Sequence, residues 1–376
     1  MSIDIKIVES KKDLKTFVKL PFEIYKDSPN YVPQLIADEL EVFNSQKNPA
    51  HQGSETRLFI AYKDGVPAGR IAAIISHSAN EKYGTKNIRF GWYECVEDQE
   101  VSDALLNAME SWGKEKGMET VTGPQGFSDL DPEGLLIEGF DQVPTIASNY
   151  NQPYYQGFLE SKGYGKEIDY IEFKAKIPSE EEIPAKLLRL ADRIKERGNL
   201  RVLEFNKKKE CLDRAEELFR LLDEAFDEIY GSVPLNEEQI RYYVKKYISY
   251  VHKDLLKAVV NEKDEMVGFM IAMPSLSLGF QKANGHLLPF GWYHILKALN
   301  TFEVLDFYLA GVKKKYRGTG VDLLMVIEVA KSAHKMGFRI SESNMELENN
   351  SKIHGLWKYF NPTQHKRRRI FKKNLK

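Results

Sequence analysis

Three landmarks occur twice along the 376-residue chain, in the same order both times. They are the strand-like segments 5–9 and 200–204, the hairpin-like stretches around Gly69 and Gly268, and the helical segments 101–117 and 321–337. The matching positions lie 195, 199 and 220 residues apart, which localises one insertion in the second copy at about residues 275–296. A repeat of this kind predicts two similar lobes rather than one continuous fold.

Each copy has the order strand, helices, β-hairpin, strand, helix, strand, helix and final strand, which predicts an α/β (α+β) fold. We expect a first lobe at residues 1–177, a connecting helix at 178–199 and a second lobe at 200–376. The segment from Tyr170 to Lys176 has the pattern of the last strand of the first lobe. A chain of this length can form two domains that each bury a core.

The second copy contains a strand that enters a helix through a basic loop with two glycines. Alternating apolar residues from Leu305 to Leu309 indicate a strand, and apolar residues at helical spacing follow up to Gly337. The loop between them carries Lys313–Lys315 and Arg317. Amide N–H groups at a helix N-terminus, next to glycines, can approach a diphosphate closely. A surface turn solvated by lysines is the alternative for these residues alone.

The sequence Arg317-Gly-Thr-Gly320-Val-Asp322 resembles the Gln/Arg-x-x-Gly-x-Gly/Ala loop of the GNAT N-acyltransferase superfamily, except that Asp322 replaces a small residue. The resemblance extends over most of the chain and implies two tandem GNAT-like lobes, each a twisted mixed sheet flanked by helices, as in bacterial two-lobe proteins. It implies acetyl-CoA or another acyl-CoA as co-substrate. The implied contacts are Gly311, Val312, Tyr316, Arg317, Gly318, Thr319, Gly320, Val321 and Asn350.

The corresponding loop of the first lobe, residues 94–100, has four acidic residues and no glycine. Such a loop repels a diphosphate, so the first lobe is expected to be degenerate as a CoA site. This lobe also has a long loop, 123–141, and the segment 148–155, both rich in Gly, Pro, Asp and Tyr. One interpretation has the acceptor pocket lined by Tyr150, Asn151, Tyr154 and Tyr155; an equal alternative is that these side chains pack the loop onto the lobe.

The resemblance implies direct acyl transfer, with a base for the amine proton and a Tyr acid for the leaving thiolate. Trp357 stands where that Tyr is expected, and an indole cannot supply a proton at neutral pH. Candidate bases are Asp306, Glu342, Glu346 and Glu348, of which we select Asp306 and Glu342 as catalytic. Backbone N–H groups near Gly311 and Val312 are expected to meet the oxyanion.

Composition excludes several other classes of function. The net charge of −1 gives no argument for nucleic acid, and no apolar run is long enough to span a membrane, so we expect a cytoplasmic protein. Two cysteines without neighbouring ligands predict no metal site. The apolar insertion 275–300 could cover an acyl chain, cap the second lobe or lie between lobes, and the basic segment 365–376 is expected to be a closing strand with a solvated edge.

The sequence therefore predicts an N-acyltransferase that moves an acyl group, acetyl in the first instance, from acyl-CoA to a small-molecule amine or a peptide. Two alternatives stay open. Trp357 and Asp322 favour a protein that binds acyl-CoA without catalysis. A Fem-like aminoacyl transferase also pairs two such lobes, although the neutral charge and the Arg317 loop count against it.

Overall fold

The computed structural model describes residues 2–247, 251–350, 354–355 and 357–375. The chain divides into two compact units, and each unit collects stretches that are distant in sequence. Unit 1 comprises the described residues up to Ile171, together with Ser277–Ile295 and residues 365–375. Unit 2 comprises the described parts of Glu172–Leu276 and Leu296–Gln364.

The elements are numbered along the whole chain. The strands are β1 (Ile3–Ile7), β2 (Ser54–Lys63), β3 (Val66–Ser76), β4 (Asn87–Cys95), β5 (Thr120–Gly123), β6 (Leu135–Glu138), β7 (Gly165–Lys176), β8 (Arg201–Leu203), β9 (Leu256–Val260), β10 (Met266–Pro274), β11 (Val304–Val312), β12 (Ile340–Glu342), β13 (Glu346–Leu347) and β14 (Thr363–Asn374). The helices are α1 (Lys11–Ile24), α2 (Ile36–Val42), α3 (His77–Tyr83), α4 (Gln99–Glu115), α5 (Tyr154–Ser161), α6 (Ala185–Gly198), α7 (Lys208–Asp213), α8 (Ala215–Phe226), α9 (Glu237–Tyr247), α10 (Ser277–Ala283), α11 (Gly291–Leu299) and α12 (Val321–Met336).

In unit 1 the strands lie in the order β1, β2, β3, β4, β5, β14 and the first part of β7. The pairs from β1 to β4 are antiparallel, β4 and β5 are parallel, and β14 is antiparallel to β5. Helix α4 packs on one face through residues such as Leu105 and Met109, and α1 packs on the other through Phe17. Alternate residues of β2 and β3 pack into the cores on the two faces of the sheet, because successive side chains of a strand point to opposite faces.

In unit 2 the order is the second part of β7, β12, β11, β10, β9 and β8. Strands β11 and β12 are parallel, and the other neighbours are antiparallel. Helices α6 and α12 form a core with one face of the sheet through Leu187, Leu324 and Ile327. Helix α8 contacts β10 and β11.

The repeat in the sequence corresponds to a repeated contact between helix and sheet. A side chain at Gly69 would lie 3.1 Å from Val101 Cγ1 of α4, and one at Gly268 would lie 2.5 Å from Val321 Cγ1 of α12. Gly69 pairs with Cys95, and Gly268 pairs with Val312. In each unit, glycine therefore allows the helix to approach the sheet closely at the same register.

Three details differ from the expectations. The connecting helix, expected at residues 178–199, begins at Ala185, because Pro184 lacks the N–H that an earlier turn would use. The insertion contributes to unit 1. The expectation of a solvated edge at residues 365–376 is wrong: β14 pairs with β5 and β6, and Lys366 and Arg368 are 1% and 0% exposed. The lobe boundaries at 177 and 200 describe the repeat and stay a prediction.

None of the described helices combines the length and the apolar character needed to cross a bilayer.

Candidate functional site

The parallel strands β11 and β12 of unit 2 pair over only three residues. Asp306 and Glu342 form the last pair, so the structure brings the two predicted catalytic carboxylates onto neighbouring strands. On its other side, β11 has an irregularity opposite Ile271 and Ala272 of β10. Beyond the last pair, Asn344 Nδ2 donates to Tyr308 O at 2.9 Å, so a side chain bridges the strands there. The two strands therefore separate at the centre of the sheet.

The separated part of β11 presents backbone groups along one side. Lys313 N donates to Val267 O of β10 at 2.9 Å. Successive strand residues point their N–H groups to opposite sides, so Val312 N–H faces away from β10. A side chain at Gly311 would lie 2.9 Å from Phe269 and 3.1 Å from Leu221, so this position has no room for one. This edge can accept an extended ligand by strand-like hydrogen bonding.

The basic loop, Lys313–Gly320, leads from β11 to the N-terminus of α12. Gly318 and Gly320 have φ angles of 77° and 93°, in the left-handed region that favours glycine. Thr319 Oγ1 donates to Tyr316 O at 2.7 Å, which tightens the turn. The residue that precedes α12 is Gly320, which has no side chain to cap the helix. The N–H groups of Val321 and Asp322 therefore point toward whatever lies beyond the loop, whereas Leu323 N donates to Asp322 Oδ1. A side chain at Gly320 would lie 2.3 Å from Ile194 Cδ1 of α6.

The cations of the loop are partly engaged by α8 and the residues just after it. Arg317 donates to Glu228 Oε2 at 2.5 Å and to Ala225 O at 2.8 Å. Lys314 Nζ lies 2.6 Å from the other oxygen of Glu228. Asp322 accepts a hydrogen bond from Leu323 N at 2.9 Å, so its carboxylate is at the first turn of the helix. An anion bound here would compete with Glu228 for Arg317.

The two selected carboxylates differ in their surroundings. Asp306 is 2% exposed on β11. Glu342 is 9% exposed, and Lys174 Nζ lies 3.0 Å from its Oε1. The Glu342 carboxylate is therefore already engaged by a cation within the sheet.

A third carboxyl, Glu346, has an environment better suited to proton transfer. Trp357 Nε1 donates to Glu346 Oε1 at 2.6 Å, and His354 Nε2 lies 3.7 Å from Oε2. Burial raises the pKa of Glu346 to about 8, and the hydrogen bond from Trp357 opposes part of that rise. The indole of Trp357 packs against the rings of Phe307 and Phe173, with centroids 5.6 and 5.9 Å apart. Since Phe307 follows Asp306 directly, Glu346 belongs to the same region as the last strand pair.

Glu346 is one of the four candidate bases predicted from the sequence, and the selection of Asp306 and Glu342 among them stays a prediction. Alternation had placed Glu342, Asn344 and Glu346 on one strand face, but burial of Glu346 depends on aromatic residues distant in sequence. Trp357 is the sequence signal that could have identified Glu346. It aligns with the position of the expected Tyr acid in the GNAT pattern, and its indole donates the hydrogen bond to Glu346. Asn350 lies in the following turn, where its N–H donates to Leu347 O at 2.9 Å.

In unit 1 the equivalent strand end is filled by side chains of the unit itself. Cys95, which corresponds to Val312, donates its backbone N–H to Tyr155 Oη at 2.8 Å. The hydroxyl groups of Tyr154 and Tyr155 donate to Cys95 O at 2.7 and 2.8 Å. Asp98 caps α4, accepting from Glu100 N at 2.9 Å. Protein atoms therefore occupy both the strand edge and the helix N-terminus in this unit.

The four residues predicted for the acceptor pocket lie within unit 1. Tyr155 is fully buried in the core, and Tyr150 is 7% exposed with its ring against Tyr25. The side chain of Asn151 accepts from Leu136 N at 2.7 Å and donates to Leu136 O at 3.0 Å, continuing the pairing of β6. Their role in an acceptor site stays a prediction. No group of three potential metal ligands occurs among the residues for which the structure gives positions.

The chain resembles known proteins over nearly its full length, although no protein-family model matches it. Protein YghO of Escherichia coli (strain K12) is 27% identical over 372 residues, which cover 97% of this chain and 94% of that protein. The bacterial ceramide synthase of Caulobacter vibrioides (strain NA1000 / CB15N) is 27% identical over 381 residues, covering 98% and 96%.

Among solved structures, a tandem GNAT protein from the clavulanic acid biosynthesis pathway superposes with a TM-score of 0.58 at 9% identity. The superposition covers 100% of this chain and 99% of that one. The predicted fold class, two tandem GNAT-like lobes with mixed sheets and flanking helices, is confirmed by this match. The chain is a tandem GNAT-fold protein.

Proposed function

We propose that unit 2 is an N-acyltransferase site that moves an acyl group from acyl-CoA to an amine. The observation that carries this proposal is the separation of β11 from β12 beside an uncapped helix N-terminus. In this proposal an extended thioester ligand pairs with the strand edge at Val312. The diphosphate binds the N–H groups of Gly318, Gly320 and Val321, since those of Arg317 and Thr319 donate to Lys314 O and Tyr316 O. We assign Tyr316 and Asn350 to the same site as further contacts for the ligand. The filled equivalent in unit 1 supports a single site.

The residues of unit 2 can complete the reaction without a Tyr acid. The amine nitrogen attacks the thioester carbonyl carbon, a C–N bond forms and the C–S bond breaks. The ammonium proton passes to the Glu346 carboxylate, and the same carboxyl returns a proton to the departing thiolate. A carboxyl with a pKa of about 8 can do both near neutral pH. Val312 N–H is placed to meet the developing oxyanion.

Asp306 and Glu342 remain candidates for the same role, and variants distinguish the three carboxylates. We expect Glu346→Gln to reduce turnover by about a hundredfold or more, the usual effect of losing a general base. Glu342→Gln should have a smaller effect, because Lys174 already pairs with that carboxylate. If Asp306→Asn abolishes turnover while Glu346→Gln leaves it unchanged, the base is Asp306.

The test measures thiol release from acetyl-CoA and palmitoyl-CoA with a panel of amines. One relative is named a ceramide synthase, and a ceramide is an amide of a long-chain amine, so the panel includes sphinganine as well as small amines and peptides. Glu133→Gln is the matched control, since burial raises the pKa of Glu133 in unit 1 to about 7. We expect this control to retain turnover.

Two outcomes would replace the proposal. Acyl-CoA binding measured by calorimetry, without consumption with any amine, would favour the non-catalytic alternative. Transfer from an aminoacylated tRNA, with no response to acyl-CoA, would favour an aminoacyl transferase. If the protein neither binds acyl-CoA nor transfers an acyl or aminoacyl group, the proposed acyl-CoA site of unit 2 is wrong.

A further inference from the structure

The insertion between β10 and β11 carries an unusual concentration of exposed apolar side chains. Of the fifteen large hydrophobic residues exposed in the described chain, six lie between positions 278 and 293. They are Leu278, Leu287, Leu288, Phe290, Trp292 and Tyr293, with exposures of 60%, 45%, 77%, 68%, 47% and 52%. Single exposed hydrophobic residues need no explanation, but a contiguous patch marks an interaction surface.

This segment, Ser277–Ile295, forms a helical hairpin that is fixed to the rest of unit 1. Gln281 Nε2 donates to Pro29 O at 2.9 Å and Tyr31 O at 3.0 Å. Gly285 O accepts from Ile36 N at 2.9 Å, and Ser277 Oγ donates to Pro144 O at 2.8 Å. Phe280 and Ile295 face inward. The hairpin is therefore anchored along one side and presents its apolar residues on the other.

The charges of the hairpin have one sign. From Ser275 to Phe302 the sequence contains no Asp or Glu, and it contains two lysines and two histidines. Lys282 and His286 are exposed beside the apolar residues. Basic groups at the rim of an apolar surface complement anionic lipid headgroups, whereas acidic groups would be repelled by them.

The aromatic residues also have the chemistry of a bilayer interface. Trp and Tyr are enriched where one end of a side chain is apolar and the other is wet. The indole N–H of Trp292 donates to Pro289 O at 2.9 Å, so it needs no water as a partner when the ring enters an apolar medium. Tyr293 keeps a hydroxyl that can remain with the headgroups.

We propose that the Ser277–Ile295 hairpin docks this protein on the surface of an anionic phospholipid bilayer, with Leu288, Phe290 and Trp292 entering the interface. The protein lies on the membrane in this arrangement and does not span it. The inference is independent of the proposed acyl transfer, because it depends only on the exposed hairpin of unit 1.

The experiment uses the full chain and large unilamellar vesicles of phosphatidylglycerol and phosphatidylethanolamine. We expect the wild type to sediment with the vesicles and the double variant Leu288→Asp, Phe290→Asp to bind at least tenfold more weakly. The matched control, Val66→Asp with Tyr83→Asp, adds the same charges at exposed positions of unit 1 outside the hairpin. It should bind within about twofold of the wild type.

Trp292 provides a second readout that reports insertion directly. Vesicles should shift its fluorescence emission to shorter wavelength, and Trp292→Phe should remove the shift, since Trp92 and Trp357 are only partly exposed and Trp112 is buried. Failure of the wild type to bind vesicles at low salt would overturn the proposal, as would equal loss in the control. A wild-type dimer that dissociates in Leu288→Asp, Phe290→Asp without any lipid binding would instead identify the hairpin as a self-association surface.

Discussion

At the scale of single residues, the proton transfer proposed for unit 2 depends on how Glu346 is enclosed. Its side chain is 11% exposed and its two nearest polar partners are an indole N–H and an imidazole. Burial also lowers the pKa of His354, so this imidazole is mostly uncharged near pH 7 and does not supply a cation to stabilise an ionised Glu346. A neutral carboxyl in an aromatic pocket is costly to ionise, and that cost can be measured as stability.

We predict that Glu346→Gln stabilises the protein at alkaline pH. The folded-state pKa of about 8 lies above the ordinary value of 4.5. As pH rises between these values, the unfolded chain releases the proton while the folded chain retains it, so the free energy of unfolding falls. At about 1.4 kcal/mol per pH unit between these two pKa values, the free energy of unfolding of the variant should exceed that of the wild type by up to about 5 kcal/mol at pH 9, and by nothing near pH 4. Urea titrations at a series of pH values measure this; a constant difference would contradict it.

Trp357→Phe should shift the pH dependence of turnover. The hydrogen bond from Trp357 lowers the pKa of Glu346 against the effect of burial. Phe keeps the aromatic contacts with Phe307 but removes the donor, so the rise of kcat/KM with pH should move about 1 unit in the alkaline direction. An unchanged profile, together with unchanged stability, would show that Glu346 is not the group that titrates in the reaction.

At the scale of elements, the loop that enters α12 combines strained backbone with a close contact. Gly318 and Gly320 share a positive φ, but only Gly320 faces Ile194. An alanine at Gly318 would therefore report the cost of a left-handed backbone alone, whereas an alanine at Gly320 would add the steric overlap with Ile194.

Gly320→Ala is expected to destabilise unit 2 more than Gly318→Ala. Both variants incur about 1 to 2 kcal/mol for a left-handed alanine. At Gly318 a Cβ meets nothing within 4 Å, whereas at Gly320 it lies 2.3 Å from Ile194 Cδ1. Combining Gly320→Ala with Ile194→Ala should recover at least about 0.5 kcal/mol of coupling in denaturant titrations. Additive effects would show that α6 does not restrict the loop.

Much of this region could be predicted from the sequence because its signals are local. Alternation predicted β11, and glycines predicted the turn and the end of α12 at Gly337. The repeat was visible because Gly69 and Gly268 serve the same helix contact. The raised pKa of Glu346 could not be derived, since it depends on burial of the side chain by residues distant in sequence. The burial of Lys366 and Arg368 was also hidden, because a basic strand resembles a solvated edge until its partners are known.

At the scale of the whole molecule, unit 1 is completed by a strand that lies more than 180 residues beyond its other sheet strands in sequence. This strand, β14, carries basic side chains that are buried in the folded unit. Arg368 donates to Asn149 O at 2.6 Å, and Arg369 Nε donates to Asp169 at 2.7 Å. Burying such groups is acceptable only when their partners are in place, so charge pairing specifies where the strand inserts.

Asp169→Asn should therefore be strongly destabilising. Asp169 is 1% exposed and also contacts Arg367 at 3.1 Å and Lys166 at 3.2 Å. Burial favours the protonated form, but these cations lower the pKa of Asp169 overall, so its stabilisation is present at neutral pH and is lost as pH falls through the lowered value. We expect a loss of about 3 to 5 kcal/mol at pH 7.

The matched control is Glu167→Gln, which removes a carboxylate from the partly exposed pair with Lys372 on the same two strands. It should cost less than about 1 kcal/mol. Chemical denaturation followed by circular dichroism compares the two variants. Equal losses would show that burial of Asp169 adds nothing to strand insertion.

The late position of β14 also has a consequence for biosynthesis. While the ribosome is translating the residues of unit 2, the sheet of unit 1 has already emerged but lacks the strand that pairs with β5. Its open edge must wait for synthesis to reach Asn374 and for the exit tunnel to release that segment. Nascent chains are therefore exposed to edge-to-edge aggregation throughout translation of unit 2, and slowing elongation there should increase their dependence on chaperones.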